Sequence, residues 1–174
     1  MSSIEKSFRD YEKVSKVWKK ALETYSEGEI SKNGSVDHWS LGQIYLHLIN
    51  STLYFHGKQI ECCVKTRSNC DKRKNFKGFM VYTILGKFPP VKIKVPASDD
   101  CTPIAPLSKK EVELGLQKVD EMMCVWKELL KDDLGGKTPH PGFDYLNASE
   151  WFRLIPMHWT HHLRQKSDRD KESV

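Results

Sequence analysis

Apolar residues recur at three- and four-residue steps in four stretches of the chain, and each stretch predicts an amphipathic helix. In the first, Ile4, Phe8, Tyr11, Val14, Trp18, Leu22 and Tyr25 share one face between about Ile4 and Tyr25, with Lys and Glu filling the rest. Gly28 and then Lys32-Asn33-Gly34-Ser35 predict a loop. The second helix is predicted from Trp39-Ser40 to about Lys65, with Leu41, Ile44, Tyr45, Leu48, Thr52 and Phe55 inward. Asp37 or Ser40 can cap it, and Gln43 completes a capping box with Ser40. On this period His47 lies at the border of the stripe, aimed along a seam with a neighbouring helix. His56 falls on another face and is expected to be exposed. The third helix is predicted from Ser108 to Lys131 on Val112, Leu116, Val119, Met123, Trp126 and Leu130, with Ser108 and Glu111 as a second capping box. The fourth starts at Asn147 or Ser149 and contains Pro156, which removes one backbone bond and predicts a bend.

The pattern dissolves between about Asn69 and Pro106. A short helix fits Gly78–Leu85, and Val91-Lys92-Ile93-Lys94-Val95 alternates like a strand, but Pro89-Pro90, Pro96, Pro103 and Pro106 exclude long regular structure. The interspersed aromatics favour a packed cover over the core. Gly135-Gly136 ends the third helix and opens a turn-rich link through Leu146. Residues 166–174 are charged and aperiodic and are expected to fray. These elements predict an all-α four-helix bundle with a long connection between helices 2 and 3, residues 1–165 forming one domain and 166–174 a charged tail.

Composition narrows the class. A chain of 174 residues with 39% hydrophobic and 29% charged residues describes a folded globular domain. No apolar run approaches the ~18 residues of a membrane span. The polar start, Met1 to Asp10, lacks a signal-peptide core, so the expected location is cytoplasmic. Cys62, Cys63, Cys70, Cys101 and Cys124 are odd in number and irregular in spacing, which predicts free thiols, with Cys70 in the basic loop the most reactive. The net charge is +5, and the positive residues concentrate in one region, Lys65, Arg67, Lys72, Arg73, Lys74 and Lys77, followed by Lys87, Lys92 and Lys94. That patch suits solvent or an anionic small molecule. No nucleic-acid-binding motif surrounds it, so no nucleic-acid partner is expected.

The candidate chemistry lies in the fourth helix. His158 and His162 stand one turn apart on the face continued by Trp151 and Ile155. Imidazoles directed at a core need a shared metal ion or hydrogen bonds to other buried groups. His47 from the second helix can join them. Three neutral imidazoles in a bundle core suit zinc, nickel or iron and leave open positions for chemistry. His161 points about 100° away from its neighbours. His140 is a further candidate, as proton shuttle or substrate contact, if its loop folds over the metal. Arg164 and Gln165 are expected to clamp the last turn or a loop carbonyl, and His38 to face solvent.

The run Trp39-Ser40-Leu41-Gly42-Gln43-Ile44 with His47-Leu48, and the run His140-Pro141-Gly142-Phe143, Glu150-Trp151 and His158-x-x-His161-His162-Leu163-Arg164-Gln165, resemble two signatures of the DinB/YfiT-like superfamily of metal-dependent enzymes. The resemblance implies an up-down-down-up bundle and metal ligands at His47, His158 and His162. Thr160, where the related branch more often has an acidic residue, and Pro156 depart from the pattern. The resemblance further implies a small-molecule substrate and allows a homodimer. Some relatives activate a low-molecular-weight thiol, so the expected function is a thiol-using transferase acting on a small electrophile. A metal-dependent hydrolase and a non-enzymatic, stress-associated binding or dimerisation bundle are the alternatives.

Overall fold

The computed structural model describes residues 2–35, 38–86, 88 and 103–172. Helix α1 spans Ser3–Thr24, opened by Ser2, whose hydroxyl accepts from the Glu5 N–H at 3.2 Å. In place of a loop after α1, Glu27–Ser31 forms a short helix, α2. Ser26 and Glu29 make a reciprocal capping box, and Ile30, 0% exposed, anchors it. The second bundle helix is one rod in three parts: α3 (Leu41–Asn50), a π-helical turn (Ser51–His56) and α4 (Gly57–Val64). Ser40 and Gln43 form the expected capping box, the Gln43 N–H donating to Ser40 Oγ (3.2 Å) and the Ser40 N–H to Gln43 Oε1 (2.8 Å).

The short helix expected at Gly78–Leu85 begins earlier, as α5 (Phe76–Phe79), and runs on as a second π-helical turn, Met80–Leu85. Helix α6 spans Lys109–Leu129 with Ser108 as its cap, and a 3-10 turn, Leu130–Asp132, follows. Only half of its capping box forms, because the Glu111 carboxylate accepts from Leu107 N–H (2.8 Å). The turn-rich link closes into an antiparallel hairpin of β1 (Lys137–His140) and β2 (Asp144–Asn147), in which Leu146 is fully buried. Helix α7, Ala148–Glu172, starts on an Asn147–Glu150 exchange: Glu150 N–H donates to Asn147 Oδ1 (2.9 Å) and Asn147 N–H to Glu150 Oε2 (3.0 Å). The expected fraying after Gln165 does not occur before Glu172. Tyr25 donates to Asp170 (2.5 Å), and Lys166 pairs with Asp170 (2.7 Å) while lying over the Tyr25 ring. These residues are held by ion pairs and an aromatic face, which leave no apolar period to read. The candidate strand Val91–Val95, the alternative cap Asp37 and Cys101 lie outside the described residues.

Cross-contacts give the helix directions. Tyr11 meets Trp159 and Tyr25 meets Asp170, so α1 and α7 run parallel. His47 meets His158 and Phe55 meets Trp151, so the second rod opposes α7. Tyr11 meets Asp120 and Glu5 pairs with Lys127, so α6 opposes α1. The result is an up-down-down-up bundle with a long connection between its second and third helices. Trp18, Tyr45, Trp126, Trp151, Phe152 and Trp159 fill its centre. Three of these indoles give their N–H to an oxygen: Trp18 to the Trp159 carbonyl (3.2 Å), Trp126 to Glu61 (3.0 Å) and Trp159 to Thr52 Oγ1 (2.9 Å). Cys62, Cys70 and Cys124 are exposed free thiols, while Cys63 is a buried one whose pKa burial raises. Among the described residues no helix is long and apolar enough to cross a membrane.

Gly57 opens α4 beneath the Trp126 ring, and a Cβ there would meet Trp126 Cζ2 at 1.9 Å. Gly57→Ala is therefore expected to destabilise the fold by about 1–3 kcal/mol through overpacking. The check is a lower urea midpoint at unchanged slope.

Candidate metal centre

His47 sits on α3 one turn before the π-helical turn, and His158 and His162 sit one turn apart on the opposing α7. Their Nε2 atoms face one another. His158 Nε2 lies 3.1 Å from His47 Nε2 and 3.0 Å from His162 Nε2. One donor nitrogen from each ring falls within 4.8 Å of both others, and each residue is half-buried. Pro156 does not separate the pair on α7. The helix continues through it, Thr160 Oγ1 donates to the Pro156 carbonyl (2.7 Å), and the His158 and His162 rings stay 4.7 Å apart, edge to face.

Outer partners orient the rings. The Gln165 amide oxygen lies 2.8 Å from His162 Nδ1, so Nδ1–H donates to it and Nε2 keeps a free lone pair directed at the cluster. Gln165 thus does not clamp a helix end, as the sequence suggests. Its position three residues after His162 puts it over the same turn. Ser51 Oγ lies 3.5 Å from His158 Nδ1, and the Trp39 ring covers one side of His47 at 5.0 Å. Burial holds all three imidazoles neutral. It lowers His47 to about 4 and His162 to about 3, and sets His158 well below the ordinary value, with the neighbouring histidines adding to the shift at His158 and His162.

This donor set fits a divalent ion. Nitrogens bound tetrahedrally at about 2.0–2.1 Å stand about 3.3 Å apart, close to the spacings here. Neutral imidazoles are the form that binds metal, and the lone pairs that crowd His158 repel unless a cation or proton lies between them.

His56 overturns the expectation of exposure. It is 4% exposed, its ring lies edge-on 5.3 Å from that of His158, and burial lowers its pKa to about 3. The cause is the π-helical turn, whose extra residue rotates everything after Ser51 relative to an α-helical reading. Phe55, expected inward, is correspondingly 39% exposed. One signal of this is present in the chain: Leu48, Thr52, His56, Ile60 and Val64 repeat at four-residue steps. In a regular α-helix each such step drifts about 40°, so a stripe that long stays on one face only if the helix widens.

His140 ends β1, stacked on Phe143 at 4.5 Å and beside Trp151 at 5.1 Å, with Nδ1 accepting from Gly142 N–H (3.0 Å). It stands outside the three-histidine cluster, and burial lowers its pKa to about 4. His161 is half-buried against Phe88 and His162. His38 is exposed, beside Arg169 and 3.4 Å from Glu172. Lys74, from the basic region, is drawn into an ion pair with Glu150 at the start of α7.

The depressed pKa values set a pH dependence. A histidine neutral in the folded chain and free to protonate in the unfolded chain contributes stability that is complete above the unfolded value of about 6.5. That contribution is lost progressively as pH falls toward the folded values of about 3 to 4 at His47, His56, His140 and His162. Metal-free protein is thus expected to have a flat denaturation midpoint between pH 7 and 8 and a falling one from about pH 6.5 downward. His56→Leu is expected to flatten the acid limb.

The chain belongs to the DinB superfamily, whose model matches residues 10–165. It is similar to YfiT from Bacillus subtilis, described as a probable metal-dependent hydrolase with an unusual four-helix bundle topology. The two share a TM-score of 0.60 and 14% sequence identity over 98% of this chain and 87% of that one. At that identity the likeness is one of fold. No curated protein matches the chain.

Proposed function

We propose that His47, His158 and His162 bind one divalent metal ion, zinc, nickel or iron, and that the protein is a metal-dependent enzyme acting on a small molecule with a low-molecular-weight thiol as co-substrate. The observation that carries this reading is the convergence of three neutral imidazole Nε2 atoms, two contacts of 3.0 and 3.1 Å, drawn from two opposed helices. When bound, the ion would act as a Lewis acid that lowers the pKa of a coordinated thiol or water. The protein's own part is to present three neutral donors and to hold His162 in the required tautomer through Gln165. Three neutral ligands leave the full charge of the ion uncompensated, which favours an anionic thiolate. Among the described residues no carboxylate joins the cluster as a general base for water.

Hydrolysis is the second reading, favoured by the description of YfiT as a probable metal-dependent hydrolase. Cobalt-substituted protein separates the two. A visible spectrum perturbed by low-molecular-weight thiols, with turnover of electrophiles only when thiol is present, supports the transferase. Ester or amide hydrolysis without thiol, and no spectral response to any thiol, replaces it with the hydrolase.

A further inference from the structure

Two buried ring nitrogens on neighbouring side chains have no hydrogen-bond partner among the described residues: His56 Nδ1 and Trp151 Nε1. His56 is 4% exposed and Trp151 0%, and their rings lie 6.0 Å apart, inclined at 38°. A polar atom sealed from water without a partner costs free energy comparable to a lost hydrogen bond. The same core satisfies the indole N–H of Trp18, Trp126 and Trp159 with oxygens. Trp151 is the exception among these four buried indoles, and the unpartnered atom beside it lies on the residue that the π-helical turn rotates inward.

The surroundings say what these atoms await. Phe55 packs edge-on against Trp151 at 5.4 Å, and the His140 ring lies 5.1 Å from that of Trp151. The His56 ring also meets the His158 ring edge-on, at 5.3 Å. The pair therefore adjoins the three-histidine cluster, one ring away from it. We infer that His56 Nδ1 and Trp151 Nε1 form a second binding point beside the metal centre, which takes one uncharged oxygen atom.

The donor inventory selects that chemistry. An indole N–H only donates, so the occupant must accept. A neutral imidazole nitrogen donates or accepts according to its tautomer, so a water or hydroxyl oxygen satisfies both atoms, and so does a carbonyl oxygen when Nδ1 carries the proton. An ionised carboxylate would lie buried among aromatic rings that do not balance its charge. The oxygen can come from solvent, as a fixed water, or from a substrate that bears a hydroxyl or carbonyl a short distance from the atom held at the metal. The substrate source rests on the metal-dependent reading; the water does not.

Crystal structures of the full chain, prepared without metal and with zinc, test the binding point directly. The expected result is one ordered oxygen within about 3.2 Å of both nitrogens, lost in Trp151→Phe, which keeps an aromatic ring and removes the donor. Rings turned to bond each other directly, or two nitrogens still unpartnered with no ordered oxygen between them, would overturn the inference. The source is read from cobalt-loaded protein titrated with 2-mercaptoethanol and with ethanethiol, which differ by one hydroxyl. A preference of about tenfold for 2-mercaptoethanol, abolished in Trp151→Phe, identifies a substrate oxygen. Equal affinities, with the ordered oxygen still present, identify water. If the protein takes up no metal, the metal-dependent reading fails and the metal-free crystal structure still decides this one.

Discussion

His158→Ala is expected to abolish stoichiometric zinc binding, the largest functional effect of any single substitution in this chain. His158 Nε2 is the atom that touches both of its partners, at 3.1 and 3.0 Å, so its removal leaves one imidazole on each of two opposed helices with nothing between them. The loss of affinity should exceed the roughly 10–100-fold typical of losing an outer partner. Gln165→Ala, which frees the His162 tautomer, is expected to fall in that range. Metal content of the native protein, followed by zinc titration against a chromophoric chelator, measures both. Stability gives an independent reading, because saturating zinc should raise the denaturation midpoint of the wild type and leave that of His158→Ala unmoved. Equal and negligible metal in the wild type, His47→Ala and His158→Ala would instead favour the non-enzymatic bundle.

Trp159→Ala is expected to be the most destabilising single change, by about 3–5 kcal/mol. Trp159 is 0% exposed and packs edge-on against Tyr11 at 5.4 Å. Its indole N–H donates to Thr52 Oγ1 (2.9 Å), and its carbonyl accepts from Trp18 (3.2 Å). Truncation empties the junction of α1, α7 and the π-helical turn, and it removes the indole hydrogen bond to Thr52 Oγ1. Trp159→Phe keeps most of the ring and loses one hydrogen bond, so about 1–2 kcal/mol is expected. Urea melts of the metal-free proteins measure both. The pair also separates stability from the site: Trp159→Phe should bind zinc like the wild type, because no ligand atom moves.

The parts of the fold that are legible in the sequence share a physical basis. Core-facing residues of α1, α3 and α6 repeat on one stripe because each helix shows one face to the bundle. The N-terminal caps of α3 and α6 are local, settled within three residues. The long aperiodic stretch after the second helix can only be a connection. The histidine pair on α7 is legible because four residues make one turn, and His47 because it borders the buried stripe of its own helix.

What the sequence does not reveal is set by interactions between distant residues. The hairpin Lys137–Asn147 has too few apolar positions to show a period, and the last turns of α7 are held by Tyr25, which lies 145 residues from Asp170. In its first half α7 is buried on nearly all sides, so a single stripe cannot separate Trp151, Phe152 and Trp159 by role. The π-helical turn matters most. Rotating the chain after Ser51 puts His56 inward and Phe55 partly outward, the reverse of a regular α-helical projection.

The histidines divide along the same line. By itself the sequence determined a four-helix bundle and three histidines able to meet in it, since periodicity and one-turn spacing are local properties. The tertiary structure decided which nitrogens face one another, that Gln165 sets a tautomer, and that His56 joins the wall beside Trp151. Those depend on helix rotation and burial, which only packing against the other helices fixes.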